Sequence, residues 1–263
     1  MRDAAREAGQ LALAFLEQGD LDVWDKSKDH PVSEADLAVN TLLARRLGAA
    51  RPHYGWLSEE TADDPKNRTP DRVWVVDPID GTRAYIKGDP FWCVALAVVD
   101  RGDAVAGVIY APAFDQLFEA RRGGGAYLNG DPIRVGSCGD IEGCRMVASA
   151  EMMGHPAWKR PWPSVTIAEP KPNATLLRLA HVAAGWQDAT LAMWRKFDWD
   201  LAAGAILLEE AGGVATTHLG ARFQFNRPVP AQHSLVAAGK DLHPLLIERT
   251  QPVVLPDPQV ATA

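Results

Sequence analysis

Cysteine is scarce: Cys93, Cys138 and Cys144 are the only three in 263 residues. An odd number at wide spacing makes neither a disulfide framework nor a zinc cluster. They read as reduced, structural thiols, which suits a cytoplasmic setting. Long apolar runs are missing too. No stretch approaches the roughly 18 uninterrupted apolar residues of a membrane span. The first 18 residues carry Arg2, Asp3, Arg6, Glu7 and Glu17, an amphipathic pattern without the apolar core of a signal peptide. No membrane association is expected. Positive charge is also in short supply, with 27 Lys and Arg against 34 Asp and Glu, a net charge of −7. That excludes a broad nucleic-acid surface, which needs clustered cations to displace counterions. A small anionic substrate stays open, because bound metal ions supply local positive charge. There is no internal repeat and no low-complexity block, and His30, His155, His218 and His243 prompt no role.

What is present is an ordinary globular composition, 47% hydrophobic and 23% charged, in a chain long enough for one large domain or two joined halves. Helical patterns run over 3–18 and 33–48, the second with Ser33 as cap and Asp36 as its capping-box partner. Strands are expected near 53–57, at 73–76, 91–99, 104–110, 116–120 and 125–128, with Asn129-Gly130 a hairpin-turn signal. Residues 61–71 are polar and read as a loop. From Gly136 the pattern changes to a strand at 145–150, a Pro/Trp-rich stretch at 155–163, and then alternation: helix 174–184, strand 188–193, helix 199–211, strands near 213–217 and 234–238, and helix 241–249. The expected fold class is α/β (α+β): an N-terminal half over 1–137, a C-terminal half over 138–250 and a loose tail at 251–263, all within one continuous domain.

Chemistry concentrates where the strand at 73–76 ends. Asp77-Pro78-Ile79-Asp80-Gly81-Thr82 places two carboxylates around a proline-stiffened turn. The Ile79 carbonyl can point the same way, giving the hard oxygen donors that suit Mg²⁺. Main-chain N–H groups at Gly81 and Thr82 can meet phosphate oxygens. Taken alone, Asp-x-x-Asp more often marks a solvated turn. Glu59-Glu60, alone, reads as surface charge; on an extended segment adjacent side chains point to opposite sides, so one could ligate metal while the other faces away. Asp200, in Trp199-Asp200-Leu201-Ala202-Ala203-Gly204, can be explained by a helix dipole. The small residues after it allow another element to approach closely.

Together these segments resemble the inositol monophosphatase-like family of metal-dependent, lithium-sensitive phosphatases. The resemblance spans about residues 5 to 240. It rests on Lys26 with Pro31-Val32-Ser33-Glu34-Ala35-Asp36, on Ser58-Glu59-Glu60, on the Asp77–Thr82 segment, and on Trp199–Gly204 with Glu210-Ala211-Gly212-Gly213. It implies a layered αβαβα sandwich and two Mg²⁺ ions, with a third held more weakly. Glu59, Asp77 and the Ile79 carbonyl are then ligands of the first ion, and Asp77, Asp80 and Asp200 ligands of the second. Glu59 also holds the third through water. Asp36 and Thr82, beside Glu59, form the catalytic set that orients and deprotonates a metal-activated water. Gly81, Thr82, Asp200, Arg195 and Lys196 are the expected substrate contacts. Homodimers are common in such families, and the sequence leaves the oligomeric state open.

The substrate is legible only in the second half. Asn173-Ala174-Thr175 stands where inositol-type members carry a Gly-Thr/Ser-Ala run, and Met193 where they often carry Glu. Trp194, Arg195 and Lys196 put an aromatic beside two cations, a combination able to stack a base and bind a second phosphate. With Trp56-Leu57-Ser58-Glu59-Glu60-Thr61, this resembles the bacterial 3′(2′),5′-bisphosphate nucleotidase branch. The expected reaction is hydrolysis of 3′-phosphoadenosine 5′-phosphate to AMP and phosphate. The alternatives are an inositol-1-phosphate phosphatase, another small-metabolite phosphatase, and a non-catalytic metal- and phosphate-binding scaffold.

Overall fold

The computed structural model describes residues 1–27, 30–68, 71–148 and 150–255. The chain opens with helix α1 (Arg2–Gln18), a hairpin of β1 (Val23–Ser27) and β2 (His30–Ser33), and α2 (Glu34–Ala50). It continues through β3 (Gly55–Ser58), β4 (Arg72–Asp80), the short α3 (Thr82–Ile86), β5 (Cys93–Asp100), β6 (Asp103–Ala111), β7 (Gln116–Arg121), β8 (Ala126–Leu128) and β9 (Asp131–Pro132). The remainder comprises β10 (Arg145–Val147), α4 (Ala150–Met153), β11 (Thr166–Ile167), α5 (Thr175–Ala183), β12 (Ala189–Ala192), β13 (Lys196–Phe197), α6 (Ala202–Glu210), β14 (Gly213–Thr216), β15 (Ala231–Gln232), β16 (Leu235–Gly239) and α7 (Leu242–Thr250).

Two sheets stack with helices between and outside them. The larger has seven strands in the order β3-β4-β5-β6-β7-β8-β9, and the smaller five, β11-β10-β12-β16-β14. Alternation along the strands decides which layer each residue enters. Trp74, Val76, Leu96 and Val98 face α1 and α2, whose buried stripe includes Ala4, Ala8, Val39 and Leu43. Val73, Val75, Ala95 and Ala97 face the opposite way, onto Leu176, Leu179, Ala203 and Ile206 of α5 and α6. The smaller sheet's Val236 and Ala238 meet Leu242 and Leu246 of α7. The layer sequence is therefore αβαβα, the expected sandwich. All strands of the larger sheet precede residue 133 and all those of the smaller follow 144. The middle helices belong to the second half yet share one core with the first sheet. Among the described residues, no helix is long and apolar enough to cross a membrane.

Three local departures from the expected elements bear on function. Strand β4 does not stop at Asp77 but reaches Asp80, with its register to β5 shifting between those two residues. Pro78 has no N–H for the ladder, so pairing slips there and resumes. The helix expected from residue 199 begins at Ala202, leaving Asp200 in the turn before it. The β1–β2 hairpin brings Lys26 to the Glu59-Glu60 turn, where one ammonium meets both carboxylates. The expectation that those two side chains diverge is thus corrected: they lie in a turn rather than a strand, and Lys26 gathers them. Of the expected tail, residues 256–263 lie outside the described residues.

Candidate active site

Asp77 and Asp80 are delivered by the end of β4. Gly81 follows with φ of +95°, in the left-handed region that favours glycine. A Cβ there would also sit 3.2 Å from both the Ala174 side chain and the Phe91 carbonyl. Thr82 then opens α3. Its hydroxyl lies 3.2 Å from Asp36 Oδ1 and 3.0 Å from the Ile79 carbonyl. Asp36 is buried, and its other oxygen accepts the Ser33 N–H at 2.8 Å and the Ser33 hydroxyl at 2.5 Å. Capping and the Thr82 contact are therefore both real: one oxygen holds the helix start and the other faces the site.

The second half adds the remaining carboxylate and a seat for Asp80. Asp80 accepts main-chain N–H groups of Thr175 at 3.2 Å and Leu176 at 2.6 Å, the first residues of α5. Close packing of α5 on α6 depends on Gly204, where a Cβ would run into Leu179. Asp200 Oδ2 accepts the Phe197 N–H at 2.8 Å, which fixes it in the turn rather than on the helix dipole. As a result, Asp77, Asp80 and Asp200 bring oxygens within 4.8 Å of one another. Glu59 stands beside this trio in the same cleft of about 420 Å³, with Ile79, Gly81, Thr82, Arg195 and Lys196 also in its walls.

The electrostatics show what this arrangement lacks. Burial, then the charges of Glu59, Asp80 and Asp200, push the Asp77 carboxyl well above the usual range. Asp80 is pushed up to about 6, first by burial and then by Asp200, against the N–H groups of α5 and the charge of Lys196. Glu59 is pushed up to about 8 by burial, with Asp200 and Glu60 adding to it and Lys26 opposing. Burial raises Asp36 as well, against the Ser33 hydrogen bonds. Burial would lower Lys26, but Glu59 and Glu60 outweigh it and the net shift is upward. Asp77 Oδ1 is buried and has no hydrogen-bond partner. Buried acceptors without donors are costly. An all-oxygen set with one orphaned acceptor fits a hard divalent cation.

At the rim, Lys196 donates to the Thr175 hydroxyl at 2.6 Å and lies over the Trp194 ring, 5.8 Å from its centroid. Arg195 lies 5.0 Å over Phe197, which stacks on Trp199 at 4.7 Å. Arg83 and Arg178 also line the cleft, and the sequence reading missed both. Arg178 donates to the Pro172 and Asn173 carbonyls at 2.7 and 3.2 Å, and as one arginine within an ordinary helix it carried no local signal. The position of Lys26 was noted, but its contact with Glu59 and Glu60 depends on the hairpin and was not foreseeable.

The chain is similar to known proteins along most of its length. The chain is 35% identical over 228 residues to the Nus factor SuhB of Xylella fastidiosa, covering 84% of this chain and 82% of that one. It is 36% identical over 231 residues to the inositol-1-monophosphatase of Mesorhizobium japonicum, covering 81% and 82%. The crystal structure of the extragenic suppressor protein suhB from Bartonella henselae superposes with a TM-score of 0.81 at 30% identity, covering 95% and 96%. The sequence profile of the inositol monophosphatase family matches residues 1–255. The chain therefore belongs to the inositol monophosphatase family and is a phosphatase of that family.

Proposed function

We propose that the protein is a Mg²⁺-dependent phosphomonoesterase acting on a small polyol phosphate of the inositol-1-phosphate type. The observation that carries this reading is the convergence of Asp77, Asp80 and Asp200 beside the Asp36–Thr82 pair. Glu59, Asp77 and the Ile79 carbonyl would hold one ion, Asp77, Asp80 and Asp200 another. Bound there, the ions would neutralise the phosphate dianion, lower the pKa of a water and stabilise the leaving oxygen. The Thr82 hydroxyl accepts from the attacking water, and its own proton moves toward Asp36 Oδ1, 3.2 Å away. Asp36 suits that task because burial raises its proton affinity. Lys26 offsets part of the charge of Glu59 and Glu60, and Arg83, Arg178 and Lys196 supply positive charge around the incoming anion. The name of the Mesorhizobium japonicum relative, an inositol-1-monophosphatase, supports an inositol phosphate over the bisphosphate nucleotide expected from sequence.

The bisphosphate nucleotide is retained as a second reading for one reason. Trp194 is 49% exposed at the mouth of the site, with Lys196 against its ring. That surface could stack a base and hold a second phosphate. Phosphate release from inositol 1-phosphate, histidinol phosphate and 3′-phosphoadenosine 5′-phosphate, measured in parallel with Mg²⁺, decides between them. The expected result is a kcat/KM for the inositol ester at least about tenfold above the others, roughly 1.4 kcal/mol of discrimination. The opposite preference for the bisphosphate would replace the first reading by the second. In that case Lys196→Ala should cost the bisphosphate about tenfold more than the inositol ester, one charge-assisted hydrogen bond. The ratio is the readout, because loss of the Thr175 contact touches both substrates.

A further inference from the structure

Two of the four site carboxylates are held by regular structure. Asp77 sits within β4, and Asp80 is seated on the first N–H groups of α5. Glu59 and Asp200 are different: both lie in turns, from opposite halves of the chain. The Glu59 N–H reaches the Val76 carbonyl of β4 at 3.3 Å, but no strand pairing joins the Glu59 turn to the Asp200 turn, and like charges on the two turns tend to move apart.

A polar chain, buried at Asp198 and Arg68 and exposed at its Asp63 end, runs between the two halves. Asp198 is two residues before Asp200 and wholly buried. Its Oδ2 accepts the Asn226 N–H at 2.6 Å and its Oδ1 the Gln232 side-chain amide at 3.2 Å. Its main-chain N–H donates to the Pro230 carbonyl at 2.9 Å, and its carbonyl accepts Leu201 and Ala202 at 3.2 and 2.9 Å. One residue thus fixes both the turn that presents Asp200 and the entry to α6. Asn226, at φ of +56°, which Asn tolerates better than most residues, carries the chain onward. Its Oδ1 accepts from Arg68 at 3.0 Å and its Nδ2 donates to the Arg68 carbonyl at 3.0 Å. The Arg68 guanidinium is buried and forked onto Asp63 at 2.6 and 2.8 Å. Asp63 lies four residues after Glu59. The line Asp63–Arg68–Asn226–Asp198 therefore crosses between the halves and ends, along the chain, four residues from Glu59 on one side and two residues from Asp200 on the other.

We propose that Asp198, Asn226 and Arg68 are positioning residues that set the separation of Glu59 from Asp200, and through it the affinity of the site for divalent cations. This rests on the metal reading of the site. Groups that orient ligands without touching the ion typically change metal affinity by about 10–100-fold when removed. A purely structural tie would alter thermal stability and leave the affinity of the folded protein unchanged.

The test is Mn²⁺ binding to the full chain by calorimetry, together with the Mg²⁺ dependence of phosphate release. Asp198→Ala and Arg68→Met should bind Mn²⁺ at least about tenfold more weakly. The Mg²⁺ concentration giving half-maximal rate should rise in parallel, while kcat at saturating Mg²⁺ stays within about threefold. Asp198→Asn, which keeps an acceptor for the Asn226 N–H, should recover part of the loss. Arg222→Ala, which removes a surface ion pair with Glu209, should bind like the wild type. Folded variants with wild-type affinity would overturn the proposal. If Asp198→Ala fails to fold, the double variant Arg68→Met/Asn226→Gly decides, because it keeps the main-chain donor to Asp198 and removes every Arg68 side-chain bond to Asn226, Arg227 and Pro228. Several-fold weaker binding supports the proposal and wild-type binding overturns it. A wild-type protein that does not bind Mn²⁺ would instead overturn the metal reading itself.

Discussion

Asp77→Asn is expected to abolish phosphate release while making the metal-free protein more stable. The two effects have one cause. Asp77 is buried among Glu59, Asp80 and Asp200, all of which raise its proton affinity, and its Oδ1 has no donor. An amide of the same size removes the charge and offers an N–H₂ group to the surrounding carboxylates. The fold then gains what the cation would otherwise supply. The reaction loses an anionic oxygen from the centre of the cluster, with an expected fall in kcat of at least about 10³-fold, roughly 4 kcal/mol of barrier. The metal-free melting temperature should rise by about 2–4 °C, as for about 1 kcal/mol in a chain of this size. Asp80→Asn provides the contrast. Both Asp80 oxygens accept N–H groups of α5, so an amide there sets one donor against another. It should lose activity without gaining stability. Calorimetric melting in excess chelator, with phosphate release in Mg²⁺, measures both. Asp77→Asn turnover within about tenfold of wild type would remove Asp77 from the proposed ligand set.

The legible part of this protein was what a short stretch of chain encodes by itself. Asp77 to Thr82 is a strand, a proline slip and a glycine turn in six residues, so its carboxylates could be placed without the fold. The long helices declared themselves through their buried stripes, and β5 and β6 through unbroken apolar runs. The small residues Ala202–Gly204 correctly marked a close approach, which proved to be α5. The unread part depends on distant pairing. Strands β11, β13 and β15 have two residues each, too few for any period to show. Glu59 and Glu60 looked divergent because Lys26, more than thirty residues earlier, gathers them only once the hairpin is in place. Asp198 and Arg68 are joined through Asn226, and Arg68 and Asn226 are 158 residues apart. The substrate was hardest because Trp194 stands exposed at the mouth of the cleft, where its residue type alone does not say what it binds. The sequence favoured a bisphosphate nucleotide there, whereas the Mesorhizobium japonicum relative is named an inositol-1-monophosphatase.

Removing the cation should silence the enzyme and give its stability an unusual dependence on pH. Excess chelator is expected to reduce phosphate release to background, because nothing would then neutralise the substrate dianion or lower the pKa of the attacking water. In the same metal-free protein, melting temperature should rise as pH falls from 8 to 6.5. Glu59 moves from an ordinary value of 4.5 to about 8 in the folded chain, and Asp77 lies well above its own ordinary range. Between the ordinary and the raised values the folded state binds more protons than the unfolded state, so stability is lost as pH rises. Below 6.5 the buried histidines act in the opposite direction. His181 is pushed down to about 4 by burial, and His218 and His243 are also lowered, so protonation there favours unfolding. Histidines of the unfolded chain are half charged at about 6.5, so they blunt the rise at the lower end of the window from 6.5 to 8 while the carboxylates set its direction. One proton across it is worth at most about 2 kcal/mol, or roughly 4–8 °C in melting temperature. Saturating Mg²⁺ should raise the whole curve by mass action and flatten it, because cation and proton compete for the same oxygens. A metal-free curve that stays level across this window would mean that the cluster relieves its own repulsion. The main physical reason for placing a divalent ion there would then be gone.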